Sequence, residues 1–173
     1  MQECKDGKRK HYLYYETTTA LPVGSAALTT LAHTGAMNVG GPLPESQICA
    51  CALYVDPDFR GKSYGNAIMD RRHEIAFEDP KIEKCVLDTM MKFTTLRKWH
   101  QRLGYVEYGV PVRVFESMDE VPEHMKRHGE TVEDYKIGFF ELTRARWEES
   151  KRRDRAGVQV STQRICWTLA NDV

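Results

Sequence analysis

The chain has 173 residues, 25 Lys plus Arg against 25 Asp plus Glu, and 41% apolar residues. That length suits one domain with a full core, and the balanced charge gives no overall field to draw nucleic acid or an acidic membrane surface. No run approaches the roughly 20 apolar residues that cross a bilayer. The weakly apolar stretch Ala20 to Met37 is broken by threonines, glycines and His33 and is followed by no cleavage site, so no secretory leader is expected. Five cysteines (Cys4, Cys49, Cys51, Cys85, Cys166) form an odd set at irregular spacing, which suits reduced thiols in a cytoplasmic protein. Cys49-x-Cys51 could hold a metal, but no second pair or nearby histidine completes a tetrahedral set. Small core residues are the better reading, and no metal is expected.

In chain order, residues 1 to 8 are polar. His11 to Thr17 alternates as a strand, Leu21 to Gly24 reads as a turn, and Ser25 to Ala32 as a second strand. Asn38 to Glu45 (NVGGPLPE) reads as a loop. Ile48 to Val55 is an apolar strand that Pro57 ends, since proline has no N–H to give a ladder. Arg60-Gly61-Lys62-Ser63-Tyr64-Gly65 then opens a helix, Tyr64 to Glu78, with Tyr64, Ile68, Ile75, Ala67 and Ala76 on its apolar face and Arg71, Arg72 and Glu74 toward solvent. A small-residue turn at a helix start leaves main-chain N–H groups unpaired at the positive end of the helix dipole, which suits a phosphate.

Lys84 to Met90 is the next strand. Thr94 or Thr95 caps a helix carrying Leu96, Trp99 and Leu103, which Gly104 ends. Tyr105 to Val114 reads as an edge or bulged strand because of Pro111. Beyond it, Ser117 to His128 predicts a short helix from about Pro122. Thr131 to Asp134 predicts the cap of a longer one, with Val132, Tyr135, Phe139 and Leu142 on one face. Arg144 to Arg155 reads as a solvated helix end rather than a nucleic-acid site, and Arg164 to Leu169 as the last strand. His124 and His128 lack a third ligand, and His73-Glu74 lacks the second histidine of a zinc-protease motif.

Leu53-Tyr54-Val55, Pro57, Phe59 and Arg60 to Gly65, followed by Trp99-His100-Gln101-Arg102-Leu103-Gly104-Tyr105, resemble in order and spacing two motifs of the GNAT superfamily of acyl-CoA N-acyltransferases. The likeness covers roughly residues 46 to 106. It implies an α/β (α+β) fold, with a mixed, mostly antiparallel sheet splayed between its central strands and flanked by helices. It also implies transfer of an acetyl group from acetyl-CoA, as acyl donor, to a primary amine of a small molecule or protein. By that likeness the main chain of Leu53, Tyr54 and Val55 pairs with the pantetheine arm, and an N–H near Leu53 or Tyr54 meets the oxyanion. The amides of Gly61, Lys62, Ser63, Tyr64, Gly65 and Asn66 hold the pyrophosphate, with Arg60 and Lys62 adding charge. His100 stands where the family has a tyrosine that protonates the departing thiolate, a task histidine can perform.

Four departures accompany the likeness. Ser63 replaces the second glycine of the turn, and Phe93 an asparagine that contacts the cofactor. Thiols (Cys49, Cys51) stand where the family often has its general base, leaving Glu45, His33 or a water chain. A strand and two helices that usually precede the first hairpin are missing, while some fifty residues intervene before the last strand. Residues 115 to 160 are therefore expected to be a helical insertion within the single domain (core about 9–114 and 161–170) that walls the acceptor site, alone or with a second subunit of a homodimer. The alternative function is a GNAT-like module that binds CoA or a protein partner without turnover.

Overall fold

The computed structural model describes residues 9–34, 38–157 and 165–169. Within them run β1 (Arg9–Glu16), β2 (Pro22–Thr29), β3 (Leu31–Thr34), β4 (Asn38–Pro42), β5 (Gln47–Val55), α1 (Tyr64–Glu78), β6 (Lys84–Met90), α2 (Thr94–Arg102), β7 (Val106–Arg113), β8 (Lys136–Thr143), α3 (Arg144–Gly157) and β9 (Ile165–Leu169). Seven strands form one sheet in the order β7-β8-β6-β5-β2-β1-β9, and β3-β4 is a separate hairpin. Every pairing in the seven-stranded sheet is antiparallel except β5 with β6.

Strand alternation separates the two main clusters of the core, and a third lies around Phe115, Val121 and Tyr135. Tyr12, Tyr14, Ala50, Cys85 and Leu87 pack on Ile68, Met69, Ala76 and Phe77 of α1, while Ala27, Cys49, Cys51 and Val86 form a second cluster. The two cysteines of β5 are thus small core residues, and among the described residues no group of three or more His, Cys, Asp or Glu could hold a metal. The six-atom reach of Arg144 joins distant parts of the chain. Its guanidinium donates to the carbonyls of Phe77 (2.9 Å) and Asp79 (2.6 Å) at the end of α1 and of Ile82 (3.0 Å from Nε) in the connection to β6.

Several expectations are corrected. Leu21 to Gly24 is not a turn, because β2 already starts at Pro22, and Asn38–Pro42 is a strand whose partner is β3 rather than a loop. Of the expected helical insertion, 115 to 160, the described part is α-helical only over Arg144–Gly157, and a strand precedes that helix. Thr131 does form a capping box, but with a single 3-10 turn, Val132–Tyr135, and the chain then enters β8. The i, i+3, i+4 pattern of Val132, Tyr135, Phe139 and Leu142 was misleading because Lys136–Thr143 also alternates, and β6 and β7 offer it main-chain partners on both sides. Ser117 to His128 contains only the 3-10 turn Glu123–Met125. The last strand, β9, joins the opposite edge of the sheet, antiparallel to β1. Arg72 was placed in solvent and is 1% exposed.

Candidate active site

After Val55, Asp56 caps the 3-10 turn Pro57–Phe59 by accepting from the Asp58 amide at 3.0 Å, and the chain turns through Gly61 (φ 73°) and Ser63 (φ 64°) into α1. Both residues are left-handed, so Ser63 carries the backbone cost of a Cβ where glycine would carry none. Its side chain makes no capping bond. The first helical N–H to find a carbonyl is that of Ala67, on Ser63 at 3.2 Å; among the described residues the amides of Gly61 to Asn66 bond none. They open on a cavity of about 290 Å³ lined by Val55, Phe59, Arg60, Gly65 and Trp99 among others. Trp99 Nε1 donates to Asn66 Oδ1 at 2.6 Å, tying α2 to the start of α1. Arg60 Nε donates to the Val55 carbonyl at 3.0 Å and Lys62 Nζ to that of Asp58 at 2.9 Å, so both cations stay beside the turn. Tyr64 contributes only main chain: its ring is buried and its hydroxyl donates to Glu16.

The second feature adjoins the first. β5 and β6 pair through Gln47 with Lys84, Ile48 with Cys85 and Cys49 with Val86, and no further. Beyond that point β5 keeps β2 and β6 keeps β8, so residues 50–55 and 87–90 turn unpaired edges toward each other. Ala52, at φ 51°, marks a bulge where the register with β2 shifts between Ser25 and Ala27. Leu53 lines the resulting cleft, of about 530 Å³, with Arg9, Cys51, Arg72, Asp88 and His100. Tyr54 is half-exposed and lies under the Arg60 guanidinium, 5.9 Å from its ring centroid.

His100 faces the sheet from α2, 6% exposed, against the rings of Trp99, Tyr105 and Phe140. Its Nδ1 is buried without a partner. Burial, and then the positive charge of Arg72, push its pKa down to about 4. At pH 7 the imidazolium is therefore about one molecule in a thousand. Cys49 is driven the other way, far above an ordinary thiol, mainly by burial, and stays protonated. Deeper still, His73 Nε2 lies 2.7 Å from the Tyr105 hydroxyl, which also reaches Cys85 Sγ at 3.5 Å.

The structure thus places Leu53 and His100 in the cleft, and Val55 with the turn from Arg60 to Asn66 at the second cavity. Sequence reasoning missed Arg9, Arg72 and Asp88 in the cleft. For Arg72 a signal was present, since Ile68, Arg72 and Ala76 lie four apart on one helix stripe. Of the residues proposed to wall an acceptor, Val132 and Tyr135 pack with Met90, which lines the cleft, whereas Phe139 lies in β8 against Tyr108.

A sheet parted at its central parallel strands, beside a turn of free amides, defines an acyl-CoA-dependent N-acyltransferase fold. The profile of the "Acetyltransferase (GNAT) family" matches residues 2–105, and the chain belongs to that family. No curated protein sequence matches it. Similar solved structures include the spermidine N-acetyltransferase from Vibrio cholerae in complex with CoA and spermine, at TM-score 0.60 and 12% identity, covering 85% of this chain and 72% of that one. The spermidine/spermine N-acetyltransferase SpeG from the same organism, in complex with manganese ions, aligns at TM-score 0.58 and 13% identity over 90% of this chain and 74% of that one. At these identities the likeness is one of fold. Among the described residues no helix is long and apolar enough to cross a membrane.

Proposed function

We propose that the protein transfers an acetyl group from acetyl-CoA to a primary amine of a small molecule or protein. The observation that carries this reading is the parting of β5 and β6 beyond Cys49 and Val86, directly beside the unpartnered amides of Gly61 to Asn66. Those amides and the dipole of α1 suit a pyrophosphate, with Arg60 and Lys62 adding positive charge. The free edge of Leu53 to Val55 suits an extended arm carrying amide groups, which it would hold as an added strand. A main-chain N–H beyond the Ala52 bulge, at Leu53 or Tyr54, serves the oxyanion. Acetyl-CoA supplies the activated acyl group; the chain orients it and keeps the site dry.

The amine nitrogen adds to the thioester carbonyl carbon and loses one proton to solvent. The C–S bond then breaks with its electron pair on sulfur, which takes up one proton. Cys49 is too weakly acidic to be a thiolate base, so the amine attacks in its neutral form. His100 is also neutral and meets the sulfur as an N–H donor rather than as an imidazolium acid. Asp88, two residues past Val86 and so on the face of Cys49, gives the cleft a carboxylate beside which an amine fits. Oriented binding alone can supply several kcal/mol of the barrier reduction.

Calorimetry with acetyl-CoA, followed by thiol release with polyamines, small monoamines and lysine peptides, tests the reading. Saturable binding plus release with one acceptor class supports it. Binding without release from any acceptor would favour a CoA-binding module without turnover. No binding by folded protein would sink both.

A further inference from the structure

The cleft contains a charge that the mechanism above leaves idle. Arg72 sits two turns into α1 and is 1% exposed, in a stripe otherwise made of Ile68 and Ala76. Nη1 donates to the Cys51 carbonyl at 3.2 Å, next to the Ala52 bulge. Nη2 points at the Met69 sulfur, a weak acceptor, and Nε has no partner. Among the described residues no carboxylate forms an ion pair with it. The titratable groups that feel its charge are Tyr14 from β1, Cys49 from β5, His73 from α1, Cys85 from β6, His100 from α2 and Tyr105 just beyond it. None of these is a carboxylate, and Asp88 lines the same cleft.

A buried guanidinium without a counter-charge costs stability, and an apolar side chain of similar volume would commonly cost less. Its depth suggests what it faces. Arg72 lies eight residues from the start of α1, about 12 Å along the axis at the helical rise. The arm between the pyrophosphate and the sulfur of CoA is about as long as four extended residues, roughly 14 Å. The cation and the sulfur therefore fall at similar distances from the Gly61–Asn66 turn.

We propose that Arg72 is a catalytic residue that stabilises the CoA thiolate expelled during acetyl transfer. The inference rests on the coenzyme reading above. As the C–S bond breaks, the electron pair and negative charge collect on sulfur. The guanidinium, charged at every working pH, holds that charge in a dry cleft where Coulomb attraction is strong. Protonation of the sulfur then follows departure, from water, and balances the proton the amine released. The same cation disfavours protonation of His100, so the site relies on a fixed charge instead of a titrating acid. Its bond to Cys51 also holds the bulge that aims the next amides.

The thiol of CoA bound to the protein provides a test that needs no acceptor. Thiolate absorbance is titrated with CoA bound, and the protein saturated with desulfo-CoA is subtracted to remove its own cysteines. Free CoA titrated in the same way sets the reference, and bound to wild type its thiol is expected to titrate about one unit or more lower. Arg72→Met and Arg72→Gln should return it to the free value or above, while Arg72→Lys keeps most of the shift. Desulfo-CoA should bind all four proteins about equally, since it lacks the sulfur. Replacing a buried ion by methionine favours a folded variant, and Arg72→Gln is a second neutral side chain. A bound thiol with the same pKa in wild type and a folded neutral variant would overturn the role of Arg72 and leave the coenzyme reading standing. Failure of wild type to bind CoA at all would overturn both.

Discussion

The Gly61–Asn66 turn and the floor of the cleft face the same expected coenzyme but are made of different materials. The turn offers main-chain amides, and its side chains are exposed, engaged locally or, for Tyr64, buried against Glu16. The floor offers side chains, Arg72 and His100, that are 1% and 6% exposed. A backbone site depends on a few φ angles, so its energetics are local and small. A side-chain site depends on how dry its surroundings are, so its energetics are electrostatic and should appear as pH dependence.

The largest expected effect belongs to the floor. His100 has a folded pKa of about 4 against 6.5 for a free imidazole, and His73 is lowered in the same direction, both first by burial. Near pH 5 His100 is mostly neutral in the native state but protonated in the unfolded chain, and the lowered His73 acts in the same sense. Stability is therefore fully present above pH 6.5 and is lost as pH falls toward 4, with His100 alone accounting for roughly 3 kcal/mol. Urea unfolding at pH 7 and 4.5 measures it, and His100→Phe should remove part of the slope. A flat profile would mean the floor is wet.

Gly24 joins the two regions. A Cβ there would collide with the Tyr54 carbonyl oxygen and lie 2.9 Å from Ile68 Cδ1. Gly24→Ala should cost about 2–3 kcal/mol, in the range of overpacking, and should weaken acetyl-CoA binding by displacing Tyr54. Gly61→Ala makes the contrast: nothing lies within 4 Å of its Cβ, so only the φ of 73° is penalised. Thermal unfolding should show about 1–2 kcal/mol lost, less than at Gly24. The smallest effect has the opposite sign. Ser63→Gly should relieve the left-handed serine by about 0.5–1 kcal/mol, raising Tm by about 1–4 °C. No gain would imply that the serine hydroxyl stabilises the turn.

The same contrast explains what could be read from the sequence. Gly61, Gly65, Pro57 and the run before Val55 announce a strand, a turn and a helix start by local rules alone. The positive φ that Ser63 adopts was foreseeable from its place in the motif. Arg72 was assigned to solvent because arginine usually goes there; its place on the Ile68–Ala76 stripe hinted otherwise, and the packing of α1 on β2 and β5 decides it. His100 looked like a suitable acid at its free pKa, and three surrounding rings and a buried cation change that. The region after Arg113 failed differently. Lys136–Thr143 satisfies both helical and strand periodicities over a short span, and the choice is made by β6 and β7, which are distant in sequence.

The parting of β5 from β6 beside free amides is the claim from which the rest follows, and calorimetric titration with acetyl-CoA at pH 7 tests it most directly. The account expects saturable binding by wild type that Gly61→Val weakens at least several-fold while the fold persists. Well-folded protein that takes up no acetyl-CoA, or binds it equally with Gly61→Val, would contradict it.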